Sequence, residues 1–151
     1  MDADIDAVRV AGTPQGPVPV VILNVEEHRD VLPIFIGFDE ARSIAHGIDA
    51  LDIGRPMTHD LFLDTIEELG GRMIGVEICD LTEDGTFIAN LRIKTPRGKK
   101  TIDARPSDSL ALAARTNADI TIDRAVFEEN RRDPGTFSNL QDIREIDDLD
   151  I

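Results

Sequence analysis

Side chains that can transfer protons or hold anions are concentrated at two places in the sequence. The first is the segment DARPSDSLALAARTNADI, residues 103–120, where Asp103, Arg105, Ser107 and Asp108 surround the start of a predicted helix. A proline among them suits the first turn of a helix, because proline has no N–H to lose there and its φ is already near the helical value. These groups form either a functional site or a structural ion pair with a helix cap.

The second place is RPMTHDL, residues 55–61. Arg55 precedes a proline, as Arg105 does, and arginine can hold a phosphate through two parallel hydrogen bonds. His59 is the best candidate for an acid or base, because the unperturbed pKa of histidine lies near neutrality. The alternative is structural: the same residues could simply begin a helix, with Arg55 and Asp60 in ion pairs.

These residue types make a partial case for phosphodiester cleavage, which needs a nucleophilic water, stabilisation of the extra negative charge on phosphorus and a way for a polyanion to approach. Carboxylates at element ends are the oxygen donors that Mg²⁺ and Mn²⁺ prefer. No HExxH motif, P-loop or two-histidine metal spacing occurs in the chain. The expected roles are catalysis by His59, Asp60 and Asp108, phosphate binding by Arg55, Arg105 and Ser107, and metal binding by Glu40, Asp103 and Asp108.

The elements that must position these side chains follow from the apolar periodicity, which is two for a strand and near four for a helix. The sequence predicts a repeated order of three strands, a helix and a second helix. The predicted strands are residues 5–10, 18–24, 31–36, 72–81, 86–94 and 99–104, and the helices are residues 39–51, 59–69, 107–116 and 124–130. This order predicts an α+β fold of duplicated βββα-type units, with a mostly antiparallel, curved or barrel-like sheet and packed helices.

Length and composition indicate one domain. The chain has 151 residues, of which 41% are hydrophobic, enough for a single sizeable core. We expect the domain to span residues 1–132. Residues 133–151 are mostly acidic with isolated apolar positions, so we expect a weakly ordered or loosely docked tail.

The charge is strongly acidic. Thirty Asp and Glu residues against sixteen Lys and Arg give a net charge of −14. This composition is typical of halophilic proteins in molar salt, where the Debye length is about 3 Å; the alternative is an ordinary acidic protein. Acidity also argues against simple nucleic-acid binding, which normally uses a basic face. Nucleic-acid binding by this chain would therefore need a bound metal, a local arginine cluster or a partner protein with a basic surface.

Location and assembly are further expectations. No apolar run approaches about 20 residues, and the N-terminus is acidic, so we expect a cytoplasmic protein without a membrane span. The single Cys79 excludes an internal disulfide and favours a buried inert thiol.

Apolar positions in residues 31–38 and 61–66 predict a homo-oligomer, most simply a dimer.

Four segments in this order and spacing resemble the bifunctional nuclease domain family: LPIFIGFDEARSIA, RPMTHDLFLDTIEELGG, DGTFIANL and DARPSDSLALAARTNADI. The resemblance covers residues 18–127. Phe35 stands where the family often has tryptophan, and TNAD replaces a more usual glycine–proline turn. The resemblance implies the family fold and an activity credited to some members, cleavage of DNA and RNA. The alternative is a non-catalytic interaction or assembly module on the same fold.

Overall fold

The structure, a computed structural model, describes residues 1–50 and 54–146. The strands are β1 (Asp2–Thr13), β2 (Gly16–Val25), β3 (Val31–Phe35), β4 (Arg72–Leu81), β5 (Phe87–Thr95), β6 (Gly98–Ala104), β7 (Asp119–Ile122) and β8 (Gln141–Asp142). The helices are α1 (Phe38–Ile48), α2 (Thr58–Glu68), α3 (Pro106–Ala113) and α4 (Arg124–Asn130), with 3-10 turns at Pro134–Thr136 and Ile143–Glu145.

One mixed sheet joins all the described strands in the order β3-β2-β1-β7-β4-β5-β6, with β8 paired to β1. Each outer group of three is antiparallel, and β7 runs antiparallel to β1 and parallel to β4. The predicted α+β class and mostly antiparallel sheet are therefore confirmed. The sheet is open, with β3 and β6 as its edge strands. The predicted barrel-like form is therefore not confirmed. The duplication stays a prediction.

The strand β2 is buried on both faces because its alternate side chains enter two different apolar clusters. Val21 and Leu23 belong to the main core with the helices. Val20 and Ile22 point the other way, where Phe137 covers them. Burial of this strand on both faces explains why its sequence, GPVPVVILNV, is almost continuously apolar.

The helices α1 and α3 lie side by side on the sheet. Both bury small and branched residues, and every residue of α3 from Ser109 to Ala113 is buried. Their close approach requires a glycine on α1, since a Cβ at Gly47 would lie 2.9 Å from the Cβ of Ala114. Helix α2 differs, because it packs against α3 and β4 without burying any residue fully. The starts of α2 and α3 thereby meet the side of α1.

Residues 133–146, the described part of the predicted tail, pack against the sheet. Phe137 and Ile143 are buried, and β8 pairs with the outer part of β1. Arg144 binds Asp49 and Asp142. Residues 147–151 lie outside the described residues.

Element boundaries differ from the sequence-based predictions at several ends. Helix α3 spans Pro106–Ala113 instead of residues 107–116, and α1 ends at Ile48; residue 51, the expected end of α1, lies outside the described residues. The short strands β7 and β8 were not predicted. No helix in residues 1–50 or 54–146 has the length and apolar character that a membrane span requires.

Candidate functional site

A hydrogen-bonded chain centred on His59 connects three helices. His59 lies in the first turn of α2, and its Nδ1 is 2.6 Å from the Oγ of Ser43 on α1. Its Nε2 is 2.9 Å from Oδ1 of Asp108 in the first turn of α3. The His59 side chain is 15% exposed, so the imidazole is mostly enclosed but still reaches solvent.

Arg105 extends this chain toward α1. Its Nε donates to Oδ2 of Asp108 at 2.8 Å, and its Nη1 donates to Oε1 of Glu40 at 3.2 Å. Burial alone would raise the pKa of Asp108, but hydrogen bonds from Arg105 and His59 outweigh it and the pKa is lowered. The hydrogen bond to Asp108 raises the pKa of Arg105. Asp108 is therefore an ionised acceptor at neutral pH.

A second branch runs through Arg115, which follows the end of α3. Its Nε donates to Oδ1 of Asp60 at 2.7 Å, and its Nη1 donates to the carbonyls of Ser43 and Ala111. The other oxygen of Asp60 accepts from the Met57 amide at 3.0 Å, as expected for a residue that begins a helix. Burial alone would raise the pKa of Asp60, but these contacts lower it. Asp60 therefore has a structural position.

These side chains border an open cavity of about 310 Å³, called the His59 cavity below. Its lining includes Glu40, Ser43, His59, Arg105, Asp108 and Arg115. The guanidinium of Arg105 is the most exposed charged group of the hydrogen-bonded chain, with 64% of its side chain accessible. The cavity thus places a proton-transfer group beside a cation that solvent reaches.

A second cavity of about 320 Å³ lies next to the Arg105–Glu40 ion pair, which contributes to the walls of both cavities. Its lining includes Phe35 and Phe87. Ser107 also lines it. Ser107 is buried, and its hydroxyl forms no hydrogen bond within the part of the chain that the structure describes.

The structure brings together five of the predicted site residues and separates two. Glu40, His59, Asp60, Arg105 and Asp108 belong to the network just described, and Ser107 is next to it.

Arg55 and Asp103 lie apart from this network. Arg55 is exposed and forms no ion pair with any described residue. Asp103 lies on β6 opposite Asn90, exposed and outside both cavities. Their roles in phosphate binding and metal binding stay predictions.

Two members of the network, Ser43 and Arg115, were missed by sequence reasoning. Their spacing carried a signal: Ser43 is three residues after Glu40, and Arg115 is seven after Asp108 within the helix predicted over residues 107–116, so helical periodicity places each on the same side as a predicted site residue.

The carboxylates do not form a metal site as they are arranged. Within the described residues, no three His, Cys, Asp or Glu side chains are grouped so that they could hold a metal ion. Glu40 and Asp108 share Arg105, and Asp103 is elsewhere. This donor set does not fit Mg²⁺ or Mn²⁺, whose sites use several free oxygens. The expected metal requirement stays a prediction.

Comparisons with known proteins agree with the motif resemblance. A family model described as the bifunctional nuclease domain matches residues 21–134. Proteins from two strains of Mycobacterium tuberculosis are each 41% identical to the chain over 126 residues, covering 81% of this chain and 74% of the relative. Each relative is described as an uncharacterized protein.

Proposed function

The chain belongs to the bifunctional nuclease domain family, and from that premise we propose that it hydrolyses phosphodiester bonds of DNA or RNA at the His59 cavity. The observation that carries the proposal is the contact of His59 with Asp108, whose other oxygen binds the accessible Arg105. A histidine oriented by a carboxylate is a proton-transfer group, and an adjacent guanidinium can bind a phosphate oxygen.

The roles in this proposal follow the contacts. His59 transfers protons during cleavage. Arg105 binds a non-bridging oxygen of the scissile phosphate and stabilises the negative charge that develops on it. Asp108, being ionised, accepts a hydrogen bond from the imidazole and orients it. Asp60 holds the start of α2 and Arg115, so we assign it a positioning role in place of the catalytic one expected from sequence.

Electrostatics at the cavity are more favourable than the net charge of −14 suggests. The lining contains as many arginines as carboxylates: Arg42, Arg105 and Arg115 with Asp39, Glu40 and Asp108. A phosphate entering the cavity therefore meets a locally balanced surface. Molar salt would screen the remaining long-range repulsion. A divalent ion would need oxygen ligands other than these carboxylates, because Glu40 and Asp108 are paired with Arg105. The proposed roles therefore involve no metal.

A second candidate function, a protein-interaction or assembly module, is favoured by the outer surface of α2. Leu61 and Phe62 on this helix, Met57 before it and Leu69 after it are 40–75% exposed. Grouped exposed apolar side chains are typical of association surfaces. One of these residues, Met57, also lines the His59 cavity, so this apolar surface adjoins the proposed site.

The test is cleavage of end-labelled single-stranded DNA, duplex DNA and RNA by the purified protein in molar KCl, with Mg²⁺, Mn²⁺ or EDTA in separate arms. We expect cleavage of at least one substrate. Loss in EDTA alone would support the expected metal requirement. His59→Ala, purified identically, separates the chain's activity from a contaminating nuclease. Absence of cleavage in every arm would refute the proposed function, and the protein-interaction or assembly module would then be the remaining candidate function.

A further inference from the structure

We propose that Ser43 is the nucleophile of the cleavage reaction and forms a covalent phosphoseryl intermediate. This proposal rests on the proposed function. Ser43 Oγ, His59 and Asp108 form a continuous serine–histidine–carboxylate chain, with heavy-atom distances of 2.6 Å and 2.9 Å. A serine bonded to a histidine that a third group orients is the arrangement that activates a hydroxyl in covalent catalysis.

The direction of the hydrogen bonds follows from the charge of Asp108. An ionised carboxylate can only accept, so Nε2 of His59 must carry a proton when the imidazole is neutral. Nδ1 then has a free lone pair, and the Ser43 hydroxyl donates to it. Arg105 supports this state because its hydrogen bond keeps the pKa of Asp108 low. The neutral imidazole is thereby oriented to accept the serine proton.

The same contacts disfavour direct activation of water by His59. Both ring nitrogens are occupied, one by Ser43 and the other by Asp108. A general base must be within hydrogen-bond reach of the proton that it removes. Among the described residues, the hydroxyl that contacts a ring nitrogen of His59 is that of Ser43, so the serine is the group that His59 is placed to deprotonate first.

The position of Ser43 is fixed from its backbone side as well. Arg115, whose side chain is only 9% exposed, donates to the Ser43 carbonyl at 2.9 Å and ties it to the Ala111 carbonyl of α3. Arg115 is therefore a positioning residue. Ser43 lies inside α1, and its side chain borders the His59 cavity, as Arg105 does. A phosphate bound by Arg105 is in the same cavity as the serine oxygen.

The reaction proceeds in two balanced steps. In the first, Ser43 Oγ attacks phosphorus, its proton moves to Nδ1 of His59, and the P–O bond to one nucleoside breaks. The departing alkoxide takes a proton from solvent. In the second, water attacks the phosphoserine and releases one proton to solvent, while His59 returns its proton to Oγ as the P–Oγ bond breaks. The products are an alcohol and a phosphate monoester, and the enzyme is regenerated.

Diisopropyl fluorophosphate tests the nucleophile, because an activated serine displaces fluoride from it and keeps the phosphoryl group. We expect one adduct in wild type, located at Ser43 by peptide mass mapping. Ser138→Ala is the matched control, since Ser138 is exposed and its Oγ bonds a backbone carbonyl instead of a histidine. This variant should be labelled like wild type. His59→Ala should be labelled at least about a hundredfold more slowly.

Nucleic-acid cleavage by Ser43→Ala and Ser43→Cys, at matched thermal unfolding, completes the test. We expect the Ser43→Ala variant to lose cleavage. The Ser43→Cys variant should keep the fold and cleave more slowly than wild type. Cleavage by Ser43→Ala at the wild-type rate, or a wild type that cleaves but is never labelled at Ser43, would overturn the nucleophile and leave the proposed function intact. A wild type labelled at Ser43 that cleaves no nucleic acid would overturn the proposed function instead.

Discussion

At the residue scale, Arg105 has two tasks that can be separated by experiment. It neutralises Glu40 and Asp108 in the resting protein, and in the proposed reaction it binds the substrate phosphate. Lysine can neutralise a carboxylate, but it lacks the planar fork that binds two acceptors at once. Substitution by lysine should therefore affect substrate binding more than folding.

We predict that Arg105→Lys raises the KM for an oligonucleotide about tenfold, equivalent to about 1.4 kcal/mol of binding, because a charge-assisted contact is weakened. Steady-state kinetics would measure it. Arg144→Lys is a matched control, since Arg144 also binds two carboxylates, Asp142 and Asp49, but lies outside the His59 cavity. An equal effect of both variants would mean that Arg105 is only structural.

Sequence reasoning identified His59, Arg105 and Asp108 because each stands at the start of a predicted helix, where polar side chains are conspicuous. It could not place Arg55 and Asp103, because whether a residue at an element end faces a site depends on how elements pack. Ser43 and Arg115 were missed for the same reason. Their contacts with His59 and Asp60 form only when α1 and α3 lie against α2.

At the element scale, Arg115 joins the three helices of the site. It connects α3 to α1 through the Ser43 carbonyl and to α2 through Asp60. Because α2 buries no residue fully and packs only the partly buried Leu63 and Ile66 against the core, these polar contacts add to its attachment. The site geometry therefore depends on Arg115 even though the cavity exposes little of it.

We predict that Arg115→Met lowers the free energy of unfolding by about 2 kcal/mol, because it removes one of the two donors to Asp60 and the hydrogen bonds to two part-buried carbonyls. The predicted loss of stability is modest because the Asp60 side chain is 38% exposed, so water can replace part of its contact with Arg115. Urea unfolding in molar KCl would measure it. Arg97→Met, at an exposed turn position, should change stability by less than about 0.5 kcal/mol. Equal stability of the two variants would contradict this role.

Strands and helices with long periodic patterns were predicted well, whereas β7 was not. Only four residues form β7, and its pairing partners, β1 and β4, are distant in sequence. A segment this short has too little pattern of its own. Its strand state is imposed by the two neighbours between which it fits, so the link between the two halves of the sheet emerges only from the tertiary structure.

At the scale of the whole molecule, the acidic charge should make stability depend on salt. Folding brings thirty carboxylates closer together, and the sixteen basic residues offset only part of their repulsion. We predict a melting temperature that rises steeply from low salt to molar KCl, measured by calorimetry. NaCl at equal ionic strength should give a similar rise, because screening is not ion-specific. A flat response would refute salt adaptation.

The exposed apolar side chains of α2 lead to a prediction about assembly. We expect a homodimer in molar KCl that dissociates as salt is lowered, because two subunits of charge −14 must be screened before apolar surfaces can meet. Light scattering across a salt series would measure it. Phe62→Ser should favour the monomer, while Ile102→Ser, at an exposed isoleucine on β6 outside both apolar segments, is the control. A wild-type monomer in molar KCl would contradict the prediction.

The most direct test of the account is the kinetic effect of replacing His59 on cleavage of one defined oligonucleotide. The account predicts that His59→Ala lowers kcat at least about a hundredfold, the usual contribution of a proton-transfer residue, with little change in KM. His28→Ala is the control, because His28 is exposed, contacts the Glu26 carbonyl and the Phe127 ring, and does not line the His59 cavity. That variant should cleave within about twofold of wild type. Equal kcat values for the two variants would show that phosphodiester cleavage does not occur through His59.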